Sequence, residues 1–415
     1  MVRTNLLAAS LWVGALGWLA ACSDQPTTAS PGGLTAPAAG FAVVNSDYVS
    51  TSISLLDAVT GQVTNGDCLD SGTRAPGVTL ALSGDVVLPS QPQAANLVVA
   101  IDRTNSALTW IDPRTCTPLR QLDVSTGFYA NPHDVISAGS TKAYVTRYGH
   151  NAAPTAAPDD FDDGDDLLVI DPSIPKITGR IDLSSSAVAV DGAAIQPGPD
   201  HALLIGTTLY VALSNLSADF KTAAHGRVVA IDTATDRVTQ TIDLADWKNC
   251  TTLSYVAARN ELVVACGGSF SDADQAAGSG IISIDLSASP PAEVHRQPVA
   301  PFSGRPVAGY SGAADDGALG FAVTSGDFGG PTTDRFWALD TAAGTATQLA
   351  VSSESFTFGG VLVDPDHDRV YMTDANPATP RVQVYRYTDP AAPALELSID
   401  ANPSLGLPPR AIVPY

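Results

Sequence analysis

The chain has few charged residues, and most of those it has carry one sign. Only 15% of its 415 residues are charged, with 21 Lys and Arg against 43 Asp and Glu and a formal net charge of −22. Such a charge repels phosphate backbones and excludes nucleic acid as the natural partner. Glutamate is scarcest, since four Glu leave 39 acidic residues as Asp. Asp favours turns where Glu favours helices, so with 35 Gly and 30 Pro we predict a turn-rich, strand-rich chain without long charged helices.

The sequence also lacks the common signatures of catalytic sites. It contains no G-x-S-x-G nucleophile elbow, no H-E-x-x-H zinc motif, no P-loop and no G-x-G-x-x-G turn. No local motif therefore indicates an enzyme class.

A single long apolar run is present, at the N-terminus. One basic residue, Arg3, precedes the run Leu6–Leu19, which ends in small residues. The run is too short for a membrane helix and is typical of a signal peptide, over residues 1–21. Its end, Leu-Ala-Ala-Cys22, resembles the lipobox of bacterial lipoproteins. That resemblance implies cleavage before Cys22 and acylation of Cys22, for example with palmitate, as an anchor in the lipid bilayer.

The residues after Cys22 indicate where the protein is delivered. Ser23 rather than Asp follows Cys22, and by the same resemblance this favours the outer membrane, facing the periplasm or the exterior. Residues 22–40 are rich in Ser, Thr, Pro, Gly and Ala, so we predict a lipidated Cys and a flexible tether. The folded domain is then residues 41–415.

Four cysteines remain in that domain, and disulfides are permitted in an exported chain. Cys250 and Cys266 flank two apolar runs joined by a short turn, so a hairpin would bring them opposite each other. We expect that pair and, by elimination, Cys68–Cys116. A thiol nucleophile or metal ligand is the weaker alternative, because there is no CxxC motif or Cys/His cluster.

One phrase recurs seven times: an alternating apolar strand that ends in Asp, a polar turn and a second strand, as in SISLLDAVTGQVT and RVVAIDTATDRVTQTIDL. The marker positions are Asp57, Asp112, Asp171, Asp232, Asp285, Asp340 and, in a degraded copy, Arg386. We predict that each Asp caps the turn through its side chain and is not catalytic. Further apolar strands precede each phrase, so four strands in each of seven units predict an all-β, seven-bladed β-propeller.

The strands KAYVTRYG and TLYVALSN, each followed by a strand ending in Ile-Asp, resemble the YVTN-repeat, YncE-like β-propeller family. The resemblance covers essentially the whole mature domain and implies the fold, but no single function. The first unit lacks an inner strand, whereas the C-terminus ends in a spare one, PPRAIVPY. We therefore expect Arg410–Tyr415 to complete blade one, so that N- and C-terminal strands share one blade and close the ring.

Binding residues are expected on one face of the propeller. The loops between the second and third strands of each blade and the connections between blades share this face, here called the loop face, and the tight hairpins share the opposite hairpin face. Loops on a rigid scaffold usually carry function. The predicted ligand candidates are His133, Asp134, Arg147, Tyr148, His150, His225 and Glu354. Other residues expected on this rim are Asp102, Arg103, Asn215, Asp272, Asp274, Asp327, Phe356, Phe358, Asp374 and Asn376. The remaining histidines, His201, His295 and His367, are predicted to be structural surface residues.

The longest loop-face insertion carries an acidic run. Its carboxylates belong to Asp159, Asp160, Asp162, Asp163, Asp165 and Asp166. An EF-hand is excluded, because Phe161 occupies a ligand position and no acid stands at the twelfth. An irregular calcium site and a solvated loop both stay open, as does a transition-metal site made by His133, His150 and His225.

These observations predict a monomeric, non-enzymatic propeller lipoprotein of the outer membrane. It would bind an unknown small ligand or an envelope protein through its loop face, in envelope binding or uptake. The alternative is a propeller enzyme, a lactonase or lyase, with its site in the loop-face funnel, where His133 would act as a base and Arg147 would orient an anionic substrate. Glu354 is the single glutamate expected on that face. A purely structural envelope scaffold is a third interpretation.

Overall fold

The computed structural model describes residues 38–155, 161–270, 275–315, 317–327 and 330–415. Cys22, the predicted signal peptide and most of the predicted tether lie outside these residues. Asp159, Asp160, Asp272 and Asp274 also lie outside them. Among the described residues, no helix has the length and apolar character needed to cross a membrane.

Seven four-stranded antiparallel sheets form the blades of a propeller, which confirms the predicted fold. The strands of each blade are given from the innermost outward. Blade one comprises β30 (Pro409–Pro414), β1 (Gly40–Ser46), β2 (Thr51–Asp57) and β3 (Val63–Asp70). Blade two comprises β4 (Val86–Val87), β5 (Val98–Asp102), β6 (Ala107–Asp112) and β7 (Thr117–Asp123). Blade three comprises β8 (Pro132–Ser137), β9 (Ala143–His150), β10 (Gly164–Asp171) and β11 (Lys176–Asp182). Blade four comprises β13 (Pro199–Ile205), β14 (Thr208–Leu213), β16 (His225–Asp232) and β17 (Arg237–Lys248).

The remaining three blades follow the same plan. Blade five comprises β18 (Cys250–Val256), β19 (Glu261–Gly267), β20 (Ser279–Asp285) and β21 (Ala292–Pro298). Blade six comprises β22 (Ala313–Ala314), β23 (Leu319–Thr324), β24 (Arg335–Asp340) and β25 (Thr345–Val351). Blade seven comprises β26 (Phe358–Asp364), β27 (Arg369–Asp374), β28 (Arg381–Arg386) and β29 (Ala394–Ile399). A small extra sheet pairs β12 (Ile195–Gln196) with β15 (Leu216–Ser217). Short 3₁₀ helices span Ala94–Asn96, Ser184–Ser186, Ala257–Arg259, Gln275–Gly278, Ala300–Phe302, Gly309–Ser311 and Pro365–His367.

The hydrophobic core is divided among the interfaces between blades. Each of seven buried clusters joins the facing sides of two neighbouring blades. Between blades four and five, for example, Leu203 packs in one cluster with Leu253 and Ile282. Because each cluster needs both neighbours, the stability of a blade depends on the ring being closed.

The two ends of the chain close the ring as predicted. The C-terminal strand β30 pairs with β1, opposing Phe41 to Pro414 and Val43 to Ile412. Ile412 is buried in the cluster between blades seven and one, whereas Val413 packs against the cluster between blades one and two. One short strand therefore supports both interfaces of blade one.

The recurring Asp residues cap turns, as predicted. Asp57 Oδ1 accepts hydrogen bonds from the backbone amides of Val59 and Thr60, at 3.1 and 2.7 Å. The same bond to an amide two residues later is made by Asp112, Asp171, Asp232, Asp285 and Asp340. These six carboxylates lie at the hairpin turns and are structural.

Both expected disulfides are present. Cys250 and Cys266 are opposite each other in the β18–β19 ladder, with their Cα atoms 3.9 Å apart. Cys68 in β3 is bonded to Cys116, which precedes β7, with Cα atoms 5.0 Å apart. The second bridge links blade one to blade two and the first lies within blade five.

Candidate functional site

The inner strands of the propeller surround a central channel with a volume of about 2120 Å³. Arg103 and Phe356 line it at the loop face, and Ser137 and Tyr255 line it at the hairpin face, so the channel extends along the ring axis. A small-ligand site usually occupies about 300–1000 Å³, so the channel has room for a ligand together with solvent. We call its loop-face end the channel mouth.

Five of the seven inner strands carry a β-bulge near their first residues, at the channel mouth. The strand register shifts at His133 in β8, at Asp200–His201 in β13 and at Thr251 in β18. It also shifts at Gly359–Gly360 in β26 and at Arg410 in β30. All these residues line the channel. Because a bulge redirects side chains relative to the regular alternation of a strand, the repeated bulges bring polar groups from several blades to one end of the channel.

Asp200 is the centre of a charged group at the channel mouth. Its Oδ2 lies 3.1 Å from His133 Nδ1, and its Oδ1 lies 2.7 Å from His201 Nδ1. Burial alone would raise the pKa of Asp200. The two imidazole rings lower this pKa by more than burial raises it, so the carboxyl pKa lies well below its usual range. Burial lowers the pKa of His201, whereas the Asp200 carboxylate raises it, with a net rise to about 9. His201 is therefore protonated at neutral pH and forms an ion pair with Asp200.

His133 is held between Asp200 and an aromatic ring. The His133 and Tyr148 rings are stacked, with centroids 4.5 Å apart and planes 15° apart. Tyr148 Oη lies 3.0 Å from Ser214 Oγ, and burial raises the pKa of Tyr148, so the phenol stays neutral. While Nδ1 of His133 faces Asp200, its Nε2 is buried without a hydrogen-bond partner among the described residues.

Three buried side-chain hydroxyls along the channel also lack a hydrogen-bond partner within the described part of the chain. They are the hydroxyls of Thr251, Thr252 and Ser254, all on the inner strand of blade five. A buried polar group left unsatisfied costs about 1–3 kcal/mol. Such groups in a native protein call for a partner, and a ligand or water that enters from the channel can supply one.

Arg410 contributes a cation to the channel mouth from the closing strand. Its Nε donates a 3.0 Å hydrogen bond to the Ser46 carbonyl, and its guanidinium lies 4.6 Å from the centroid of the Tyr48 ring. Its terminal amino groups have no acceptor among the described residues. Arg103, the other arginine at the mouth, forms an ion pair with Asp85. The mouth thus combines compensated ion pairs with one arginine that can still donate hydrogen bonds.

His201 was predicted to be a surface residue in a turn, and this prediction is wrong. The Gly-Pro-Asp-His segment resembles a turn in sequence, but Pro199–Ile205 is the inner strand of blade four, and the turn is the Gly206–Thr207 pair that follows. His367 does lie in a turn and His295 in an outer strand, as predicted.

The structure places Asp134 and Arg147 out of reach of a ligand. Asp134 is fully buried and accepts hydrogen bonds from the amides of Ser90 and Ala202, both at 2.9 Å. Burial raises its pKa. Arg147 is fully buried and pairs with Asp166 through Nε and Nη2, at 2.7 and 2.6 Å. Both residues were predicted on the loop face because their strands end there, but their side chains turn into the protein.

Three other ligand candidates lie away from the channel lining. His150 Nδ1 lies 2.7 Å from Asp165, and His225 Nε2 lies 3.1 Å from Asp243. Glu354 is exposed in the connection between blades six and seven. With His133 paired to Asp200, the structure does not bring His133, His150 and His225 together as metal ligands. Among the wider rim residues, the channel lining includes Arg103, Asp327, Phe356 and Phe358 but not Asp102, Asn215, Asp374 or Asn376.

The described carboxylates of the acidic run have separate partners. Asp162 accepts a 2.8 Å hydrogen bond from the amide of Thr155. Asp163, Asp165 and Asp166 pair with Arg180, His150 and Arg147, respectively. Among the described residues there is no group of three or more His, Cys, Asp or Glu that could hold a metal ion. Calcium binding stays a prediction, because Asp159 and Asp160 lie outside those residues.

The residues at the centre of the site were not predicted from the sequence. Asp200, Thr251 and Arg410 were not selected, and the bulges that bring them into the channel leave no pattern in the sequence. The one available signal was weak: each lies within two residues of the first residue of an inner strand.

No family model matches the sequence, and no curated protein matches it. The structure is similar to hydrazine synthase of Kuenenia stuttgartiensis, with a TM-score of 0.55 and 15% identity over 90% of this chain and 99% of that chain. It is also similar to the periplasmic gluconolactonase of Pseudomonas aeruginosa, with a TM-score of 0.55 and 12% identity over 90% of this chain and 98% of that chain. At such identities the comparisons show a shared β-propeller fold.

Proposed function

We propose that this protein is a ligand-binding propeller whose site is the channel mouth. The observation that carries the proposal is the set of buried, unpartnered polar atoms along the channel, His133 Nε2 and the hydroxyls of Thr251, Thr252 and Ser254. A ligand that satisfies them recovers the free energy lost on their burial. The mixture of donors and acceptors around them suits a small polar ligand.

The proposal includes the anchor indicated by the sequence. Cys22 would be acylated and hold the propeller at the outer membrane through the tether of residues 22–40. A tethered binding domain of this kind suits envelope binding or uptake. The resemblance of the repeats to the YVTN-repeat family implies a propeller but no single function, so the ligand would be defined by the channel.

Replacement of Thr251 by Val tests the site. The change removes an unsatisfied hydroxyl at nearly constant volume, so the folded protein should be as stable as the wild type or more stable. Ligand affinity should fall about tenfold, since a hydrogen bond of about 1.4 kcal/mol is lost. The measurement is a thermal-shift screen of the chain from residue 22, with Cys22→Ser, against siderophores, Ca²⁺, Zn²⁺, Cu²⁺ and sugars, followed by calorimetry.

Thr347→Val is the matched control, because Thr347 is exposed on the outer strand of blade six. The Thr347→Val variant should bind the ligand with wild-type affinity. A ligand that binds equally well to Thr251→Val, Arg410→Gln and the wild type would contradict a site at the channel mouth.

A second candidate function is lactone hydrolysis, which the contact between His133 and Asp200 favours. His133 Nδ1 is directed at the Asp200 carboxylate, which leaves Nε2 as the ring atom that would accept a proton from water as a general base. The fold is shared with a periplasmic gluconolactonase, although at 12% identity.

If this candidate is correct, the protein hydrolyses δ-gluconolactone faster than the spontaneous rate, and His133→Gln lowers the enzymatic rate by about 10²–10⁴-fold. A pH-indicator assay measures both rates. His225→Gln serves as the control, since His225 pairs with Asp243 outside the channel. A rate that never exceeds the spontaneous one would leave binding as the sole proposed function.

A further inference from the structure

Exposed aromatic side chains are concentrated around the channel mouth. Five of them line the channel and together form what we call the aromatic collar: Tyr48, Phe220, Phe270, Tyr310 and Phe356, with exposed fractions of 65%, 46%, 59%, 49% and 45%. The sixth exposed aromatic of the described residues, Tyr129, lies on the same face in the connection between blades two and three. Rings this exposed add little to the core, so folding does not explain them.

Three collar residues have a backbone conformation that is unfavourable for a large side chain. Tyr48, Phe220 and Phe356 have φ values of 66°, 58° and 60°, in the left-handed region. Bulky residues rarely adopt this conformation, and such strain is concentrated at binding and catalytic sites. The same strained presentation recurs on three loops from different blades, which indicates a common purpose.

An aspartate helps to hold each strained loop in place. Asp47 Oδ1, next to Tyr48, accepts hydrogen bonds from the amides of Val49 and Ser50, at 2.9 and 2.7 Å. In the loop of Phe220, Asp219 Oδ1 accepts from the hydroxyl of Ser217, at 2.7 Å.

The loop of Phe356 is held most firmly. The buried carboxylate of Asp334 accepts hydrogen bonds from four backbone amides, those of Gly326, Phe356, Thr357 and Phe358, at 2.7 to 3.0 Å. The collar is therefore pre-organised, which lowers the entropy cost of binding.

The geometry and charge of the mouth favour one class of ligand. The Phe220 and Phe270 rings meet edge to face, at 80°, and offer no parallel slot for a single flat aromatic molecule. The charges at the mouth are largely compensated, by the pairs Asp200–His201 and Arg103–Asp85, and the protein as a whole carries a charge of −22. A polyanion is therefore disfavoured.

Sugars suit both features of the mouth, its exposed aromatic rings and its largely compensated charges. A sugar ring has a C–H face that packs on an aromatic ring, and hydroxyls that both donate and accept hydrogen bonds. We propose that the channel mouth and aromatic collar bind the end of a neutral oligosaccharide, with one sugar in the mouth and the following units packed on the collar. This inference rests on the proposed ligand site at the mouth and adds the chemical class of the ligand and the role of the collar.

Calorimetry of the chain with Cys22→Ser, using cello-, malto- and chito-oligosaccharides of one to six units, tests the proposal. We expect Kd in at least one series to tighten by about tenfold or more between one and four units. Phe220→Gly with Phe356→Gly should abolish this gain and leave the affinity for the single sugar unchanged. Glycine suits the left-handed backbone, so these changes should not lower the thermal midpoint. Tyr129→Ala is the control and should bind like the wild type.

The possible outcomes distinguish failure of the collar proposal from failure of the proposed ligand site at the channel mouth. One outcome overturns the collar proposal and leaves the proposed function standing. In that outcome a single sugar binds, Thr251→Val weakens its binding, and the affinity does not change with oligosaccharide length. If none of the three series binds while another small ligand does, the carbohydrate class is overturned. A concentration-dependent dimer that Phe220→Gly disrupts would identify the collar as a contact between copies and would also overturn the proposal. The proposed function itself is contradicted if every ligand binds Thr251→Val and Arg410→Gln with the same affinity as the wild type.

Discussion

Removal of residues 408–415 is expected to destabilise the entire propeller. These residues contain β30, whose Ile412 is buried between blades seven and one, while Val413 packs against the cluster between blades one and two. Loss of one buried aliphatic side chain costs about 2–5 kcal/mol of the free energy of unfolding. This truncation removes packing at two blade interfaces together with the hydrogen-bond ladder between β30 and β1. The midpoint of thermal unfolding should fall by at least about 10 °C, or the chain should fail to fold. Differential scanning calorimetry measures the effect.

Removal of residues 23–37 is the control for this truncation. These residues precede the described structure and belong to the predicted tether, so their loss should shift the midpoint by less than about 2 °C. A C-terminal truncation that unfolds at the wild-type temperature would show that the ring does not depend on β30.

Replacement of Arg147 by Met is expected to be the most destabilising single change. Arg147 is fully buried, and its guanidinium forms two hydrogen bonds with Asp166 and others with the Phe161 carbonyl and the Thr126 hydroxyl. Among the described residues, the buried Asp166 carboxylate would then retain only Arg180, whose Nε lies 3.4 Å away. Removing one partner of a buried ion pair lowers the free energy of unfolding by about 3–5 kcal/mol. Urea unfolding measures this loss.

Two variants distinguish a structural Arg147 from a ligand-binding one. Arg147→Met with Asp166→Leu should recover most of the lost stability, because no unpaired charge stays buried. Arg296→Met removes exposed ion pairs to Asp246 and Glu293 and should cost about 1 kcal/mol or less. A folded Arg147→Met protein of wild-type stability that has lost ligand affinity would contradict the structural role.

The channel-mouth site was only partly predictable, for a reason visible in blade three. His133 and Tyr148 were selected as ligand candidates, and both line the channel. Asp134, next to His133, was selected on the same grounds but is buried. A bulge reverses which of two adjacent side chains faces the channel, and it depends on pairing between strands rather than on the residues themselves.

The aromatic collar could not be recognised in the sequence either. Tyr48 and Phe220 look like isolated aromatics in polar loops, and Phe356 was noted only as one of many rim residues. Their common place around the mouth follows from the arrangement of the blades, which brings loops from opposite ends of the chain onto one face.

The sequence by itself determined the fold of this protein. The alternation of apolar residues, the seven recurring turns, the spare C-terminal strand and the spacing of Cys250 and Cys266 are local patterns, and local patterns specify strands, hairpins and their closure. The tertiary structure alone decided which polar groups meet. The contact of Asp200 with His133, the burial of Arg147 and the buried, unpartnered hydroxyl of Thr251 depend on bulges and on contacts between strands and blades. His133 and Asp200, for example, belong to different blades, so no local pattern encodes their contact.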